Sequence, residues 1–136
     1  IIAAERIVAT GHLIGVQPWA IEKAKTVLST HEAGFRKCMA KGVKISFGTD
    51  SGTPNNFHGK QGYEFELLQN FGMKVEDALT AATKTNSELI RRDKEIGTLE
   101  KGKYADIIAF DKSPFEDIKI MTNCSFVMKG GAVIKG

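Results

Sequence analysis

The sequence predicts an α/β fold over residues 1–92, followed by a small unit of β-strands over residues 93–136. The first observation behind this prediction is a long amphipathic pattern over residues 19–41 that runs directly into a β-branched stretch, residues 43–47. A helix followed at once by a strand is typical of alternating α/β units. The second observation is a pair of glycines between two apolar runs near the carboxyl end, which is typical of a β-hairpin.

Four helices are predicted in the first part. Apolar residues at three- and four-residue spacing place them at residues 1–14, 19–41, 63–71 and 75–91. A polar loop over residues 51–62, rich in Gly and Asn, separates the second helix and its following strand from the third helix. Such a loop lies where an active-site loop would lie in an α/β fold.

The β unit begins after a glycine-punctuated link. A strand is predicted at residues 105–110, and two more lie within residues 125–134 on either side of Gly130-Gly131. Because Asp106 lies in this unit, a local structural hydrogen bond is the favoured reading of its carboxylate.

Composition narrows the class of protein. Of the 136 residues, 42% are hydrophobic and 26% charged, and the net charge is only +3, with Lys and Arg scattered along the chain. We therefore expect no nucleic-acid partner and no membrane partner, since no apolar run approaches the roughly 18 residues of a membrane span. Cys38 and Cys124 are not in metal-binding spacing, so free thiols are expected. With no secretory pattern at the amino end, a cytoplasmic location is expected.

The most informative motif is Phe-Gly-Thr-Asp-Ser-Gly at residues 47–52. It places Asp50 on a turn at the carboxyl end of the predicted strand 43–47, which is where parallel α/β folds bind ligands. Thr49 and Ser51 are candidates to orient Asp50 through their hydroxyls. Taken alone, such an acid more often serves as a turn former or a helix cap.

A series of segments resembles the amidohydrolase superfamily. Residues 42–52 are similar to the eighth barrel strand, residues 76–83 to the last barrel helix, and residues 96–108 to the return into the accompanying β-sandwich. His58-Gly59, followed by the acidic-apolar run at 64–68, is similar to the segment between them. Within the superfamily, the resemblance is to imidazolonepropionase-like and Xaa-Pro-dipeptidase-like members.

The resemblance implies a fold and an activity. The fold is the C-terminal segment of a (β/α)₈ TIM barrel, comprising the last strand and its flanking helices over residues 1–92, with a β-sandwich segment at 93–136. The implied activity is metal-dependent hydrolysis of amide or other C–N bonds in a small-molecule or short-peptide substrate. Asp50 would bind a divalent metal, most commonly one or two zinc ions, and accept a proton from metal-bound water.

The histidines depart from the family pattern. His12, His31 and His58 show no paired spacing and follow no predicted barrel strand, so the remaining metal ligands are absent from this chain. His58 is a candidate substrate contact, with a loop-bracing role as its alternative, and His31 is expected to be a core histidine. We therefore predict no turnover from these 136 residues alone.

A second hypothesis belongs to a different class. The chain would then be a catalytically inactive fragment that persists as a folded or self-associating module, because an isolated strand 43–47 exposes its edges to another chain or copy. A homo-oligomer would support this hypothesis.

Overall fold

The computed structural model describes residues 1–53 and 55–136. Five α-helices form its larger part: α1 Ile2–Thr10, α2 Pro18–Ala40, α3 Tyr63–Asn70, α4 Val75–Thr80 and α5 Asn86–Leu89. Three strands form one antiparallel sheet: β1 Ile107–Ala109, β2 Phe126–Lys129 and β3 Ala132–Lys135. No helix within the described ranges is long and apolar enough to cross a membrane.

Helix α2 begins and ends where local chemistry requires. Pro18 occupies its first turn, where a missing N–H costs no hydrogen bond. Gly42, in the left-handed conformation at φ 68°, follows its end and donates its N–H to the Met39 carbonyl at 2.9 Å. The predicted helix at 19–41 is therefore confirmed to within one residue at each end.

The core lies between α3, α4 and a 3₁₀ turn, Ile118–Thr122, that the sequence did not predict. Its buried side chains are all apolar: Phe65, Leu68, Met73, Ala78 and Ile118. Gly62, just before α3, lies so close to this turn that an added Cβ would stand 2.2 Å from the Met121 carbonyl oxygen. The absence of a side chain at Gly62 allows this close packing.

The predicted helix 75–91 is interrupted. Between α4 and α5, the segment Ala81–Thr85 forms a π-helical turn, and the helix ends at Leu89. A π turn holds one more residue than an α-turn and often lies near functional sites. Here it directly precedes Asn86, the residue that contacts the Asp50-bearing segment.

The predicted strand 43–47 is wrong, because the segment pairs with no other strand among the described residues. A strand needs a neighbour to bond its backbone groups, and the Asn86 side chain takes that place. Phe47 N–H donates to Asn86 Oδ1 at 3.0 Å, and Asn86 Nδ2 donates to Phe47 O at 2.9 Å. Within this segment, Ile45 and Phe47 pack on the core, whereas Val43 is exposed.

The β unit contains the predicted hairpin. Strands β2 and β3 flank Gly130 and Gly131, whose φ values of 56° and 84° fit a two-residue turn. The Asp106 carboxylate accepts the Gly130 N–H at 2.7 Å and pairs with Lys129, so its expected structural role is confirmed. The described residues form a single sheet here, where a two-layer sandwich segment was expected. The domain boundary near residue 93 stays a prediction.

Candidate active site

Asp50 lies on a tight turn at the end of the segment anchored by Asn86. Its φ of 54° is left-handed, a conformation that Asp adopts more readily than most residues. The Phe47 ring stacks on the Phe65 ring with centroids 4.4 Å apart, which fixes the chain three residues before Asp50. The Asp50 side chain is exposed, and no hydrogen bond or ion pair to a described residue engages its carboxylate.

Asn56 stabilises the turn through hydrogen bonds to residues on both sides of Asp50. Its side chain is almost fully buried and donates from Nδ2 to the Thr49 carbonyl. Its own carbonyl accepts the Gly52 N–H at 2.8 Å, and Thr53 Oγ1 donates to the Asp50 carbonyl at 2.9 Å. Residues 49–53 and 55–56 thus hold the backbone on both sides of Asp50.

His58 lies on the same loop as Asp50. Its Nδ1 is 3.4 Å from Ser51 Oγ, and Gln61 Nε2 donates to that hydroxyl at 3.1 Å. Its Nε2 stands 3.1 Å from where a Cβ on Gly52 would be, so the absence of a side chain at Gly52 makes room for the imidazole. These contacts favour the loop-bracing role. The exposed ring keeps the predicted substrate contact open as a proposal.

One candidate role is not seen in the structure, and one expectation about a neighbouring residue is wrong. The Ser51 hydroxyl bonds within the loop to His58 and Gln61 and makes no hydrogen bond to the Asp50 carboxylate. His31 is exposed on α2, whose buried residue is Ala24, so it is not a core histidine.

A cavity of about 570 Å³ lies between the α5 region and the sheet. Apart from Asn86 and Asp106, its lining residues are apolar or carry a hydroxyl, and they include Ile90, Leu99 and Ile107. The Asp50 carboxylate is not among its lining groups. Within the described residues, Asp50 therefore does not open into this cavity.

Glu64 is a buried acid that the sequence did not single out. Its Oε2 accepts the Ile2 N–H at 3.2 Å, and its Oε1 lies 3.5 Å from the main-chain nitrogen of Ile1. Burial raises the pKa of the Glu64 carboxyl, and the hydrogen bond from the Ile2 N–H offsets this only in part. Glu64 thus links the start of α1 to α3, and the loop of Asp50 lies between these two helices in sequence.

The described residues supply too few ligands for the metal site that the sequence led us to expect. No three His, Cys, Asp or Glu side chains lie together within the described ranges in a way that could hold a metal ion. A catalytic zinc has three protein ligands, and the Asp50 loop offers one carboxylate and one imidazole. The residues of this chain therefore do not fit a complete metal site by themselves.

Asn56 and Asn86 were missed by sequence reasoning. Each uses its carboxamide to hold the backbone of the Asp50-bearing segment, at Thr49 and Phe47 respectively. No local pattern distinguishes such an asparagine from an ordinary turn or helix residue. Only the fold brings Asn86 to a segment 39 residues away.

Comparison with known proteins gives one family match. A family model described as the amidohydrolase family matches residues 3–136. Among solved structures, a Xaa-Pro dipeptidase with methionine bound in its active site aligns with a TM-score of 0.85 at 36% identity, over 99% of this chain and 33% of that chain.

Two curated relatives match at lower identity. The ochratoxinase of Aspergillus niger is 28% identical over 135 residues, covering 96% of this chain and 27% of that protein. The imidazolonepropionase of Brevibacillus brevis is 30% identical over 115 residues, covering 79% of this chain and 26% of that protein. The chain thus spans about a quarter to a third of the length of the relatives it matches.

Proposed function

This chain belongs to the amidohydrolase family, and on that premise we propose that it is the Asp50-bearing part of a hydrolase that cleaves amide or other C–N bonds. The resemblance found in the sequence is confirmed by the family match. The structural likeness to a Xaa-Pro dipeptidase supports an α/β segment of a TIM-barrel enzyme. It also favours a small-molecule or short-peptide substrate.

The observation that carries the proposal is the state of Asp50. Its carboxylate is exposed and unpaired among the described residues, yet its backbone is fixed on both sides by hydrogen bonds. A structural aspartate normally uses its carboxylate to cap or bridge, as Asp106 does with Gly130. Asp50 does neither, so its side chain is available to bind a ligand or to accept a proton.

A divalent metal, most commonly zinc, is part of the proposal only for a complete site. Asp50 would supply one of its ligands, and the others would come from polypeptide other than the described residues. No chemical step is assigned to a metal on this chain alone. His58, 3.4 Å from Ser51, is the proposed substrate contact on the same loop.

A chimeric enzyme tests the role of Asp50. The segment of the Xaa-Pro dipeptidase that aligns with this chain would be replaced by these 136 residues, and hydrolysis of an Xaa-Pro dipeptide would be measured. Asp50→Asn in the chimera should lower kcat by about 100-fold or more, the scale of a lost general base. Asp93→Asn, an exposed acid outside the loop, is the matched control and should leave kcat unchanged. Equal activity of the two variants would overturn the proposal.

One set of observations favours a second candidate, a self-associating module. Val43, Ile108 and Val133 are 52%, 55% and 58% exposed, and the outer edges of β1 and β3 are unpaired within the described sheet. Open edges with exposed apolar side chains favour pairing with another copy. Light scattering after size exclusion should then show a dimer or larger species, and a monomer at all concentrations would contradict this candidate.

A further inference from the structure

Three hydrogen bonds of Asn56 enclose the turn that carries Asp50. The side-chain Nδ2 donates to the carbonyl of Thr49, one residue before Asp50. The main-chain carbonyl accepts the N–H of Gly52, two residues after Asp50, at 2.8 Å. The main-chain N–H donates to Thr53 O at 3.0 Å. One residue therefore fixes the chain on both sides of the acid.

The Asn56 side chain is among the most deeply buried polar groups of the described chain, with 1% exposure. Its Oδ1 has no hydrogen-bond partner among the described residues, and Pro54 carries no N–H that could supply one. Burying an unpaired acceptor costs stability, so an apolar residue would serve the core better if stability were the only requirement. The hydrogen bond that the carboxamide does make, within the described residues, is the one from its Nδ2 to Thr49.

Asp50 needs such a support. At φ 54° it occupies a region that costs a non-glycine residue free energy unless the surroundings fix it. The Thr53 hydroxyl bond to the Asp50 carbonyl helps, but it acts on the same side as Gly52. Among the residues that the structure describes, the Asn56 carboxamide is the side chain that bonds to the preceding peptide, at the Thr49 carbonyl.

We propose that Asn56 is a positioning residue for Asp50, fixing its left-handed backbone and hence the direction of its carboxylate. This role rests on the proposed function, because the direction of the carboxylate matters only if Asp50 binds or reacts. It differs from a general structural role in a measurable way. Loss of the Asn56 carboxamide should loosen residues 49–52 while the distant hairpin of β2 and β3 stays ordered.

The test uses NMR on the full 136-residue chain, with Asn56→Ala, Asn56→Asp and the control Asn70→Ala, whose side chain is exposed at the end of α3. The readouts are the ¹³Cα shift and the HN–Hα coupling of Asp50, which report φ, and the exchange protection of the Gly52 amide. In Asn56→Ala, the HN–Hα coupling of Asp50 should move to the averaged value of a flexible residue. The exchange protection of the Gly52 amide should fall by about tenfold or more, which corresponds to the free energy of one hydrogen bond. Asn70→Ala should change neither.

Asn56→Asp supplies a rescue by pH. As a neutral acid, its O–H can donate to the Thr49 carbonyl, whereas the ionised form repels that oxygen. The Asp50 coupling of this variant should match the native chain near pH 3, below the ordinary Asp pKa of about 3.9, and depart from it near neutral pH. The loop also carries Asp50 and His58, and Arg6 bonds to the adjacent Asn55 carbonyl at 3.0 Å, so the native chain is measured over the same range as reference.

The outcomes separate three cases. Local loosening with rescue at low pH supports the positioning role. An unchanged Asp50 coupling in Asn56→Ala, or loss of order throughout the chain in both variants at every pH, overturns it. These measurements need no metal or substrate, so an inactive chimera beside a responsive Asp50 would reject the hydrolase proposal and leave the backbone role of Asn56 standing.

Discussion

The carboxamide of Asn86 occupies both backbone hydrogen-bonding groups of Phe47. Its Oδ1 accepts the Phe47 N–H at 3.0 Å and its Nδ2 donates to the Phe47 carbonyl at 2.9 Å. A neighbouring β-strand would make the same two bonds, so one side chain substitutes for a strand at this position. Because this contact fixes the backbone at Phe47, it also helps to position Asp50, three residues later.

Removing the Asn86 carboxamide should destabilise the chain. Asn86→Ala leaves two half-buried backbone groups of Phe47 without these partners, and we expect a loss of about 1–3 kcal/mol in the free energy of unfolding. Urea denaturation followed by circular dichroism measures it. Asn70→Ala, with an exposed side chain, should change stability by less than about 0.5 kcal/mol. A loss no larger than that of the control would show that the contact is dispensable.

Replacing two glycines by Ala should change the stability of the chain in opposite directions. Gly62→Ala would place a Cβ 2.2 Å from the Met121 carbonyl oxygen, which forces α3 away from the 3₁₀ turn and costs about 1–3 kcal/mol. Gly34→Ala, within α2 and with open space around it, should stabilise by about 0.5–1 kcal/mol. Thermal unfolding of both variants gives the comparison. Similar melting temperatures would contradict the close approach at Gly62.

Glu64 should make the chain less stable as pH rises. Its pKa is raised in the folded state by burial, so the folded chain favours the protonated form. The stabilisation that protonated Glu64 gives the folded chain is complete below the pKa of Glu64 in the unfolded chain, near 4.5. It is lost as pH rises through the pKa of Glu64 in the folded chain. Glu64→Gln should remove this dependence and gain stability over the native chain at neutral pH. Glu66→Gln, two residues on, should keep the native pH profile.

Asp106 should show the opposite dependence. The hydrogen bond from Lys129, and then the Gly130 N–H, lower the pKa of its carboxyl below 3.8. Its contribution to the hairpin is present above that value and is lost as pH falls through the folded pKa. The protection factors of the β2 and β3 amides, which correct for the slower intrinsic exchange in acid, should fall as pH falls. Asp106→Asn should show low protection already at neutral pH, whereas Asp111→Asn should behave like the native chain.

Two substitutions of Asp50 should differ in their effect on the free energy of unfolding. Asp50→Asn keeps a residue that tolerates the left-handed conformation, so unfolding should change by less than about 0.5 kcal/mol. Asp50→Val introduces a β-branched residue at φ 54° and should cost about 1–3 kcal/mol. Urea unfolding measures both variants. A large loss in Asp50→Asn would mean that the carboxylate has a structural partner.

The parts of the fold that the sequence predicted are those set by local chemistry. The limits of α2 follow from Pro18 and Gly42, and the hairpin follows from two adjacent glycines. These residues act on their own backbone, so a short stretch of sequence contains the relevant information.

The failures concern contacts between distant residues. The apolar run at 43–47 predicted a strand, but strand formation depends on a partner, and Asn86 replaced it. His31 follows the apolar spacing of α2 and is nevertheless exposed, because burial requires a second surface. The Asp50 turn could be found from its motif, whereas its braces at Asn56 and Asn86 could not.

The π-helical turn Ala81–Thr85 sets the direction in which the Asn86 side chain leaves its helix. A π-helical residue turns the chain by less than the roughly 100° of an α-helical residue, so winding this segment as a regular α-helix would rotate Asn86 around the helix axis by tens of degrees. The Asn86 carboxamide would then point away from Phe47, and the segment that carries Asp50 would lose this contact. Substitutions that keep the π turn should therefore be tolerated in this stretch, whereas an added residue should not.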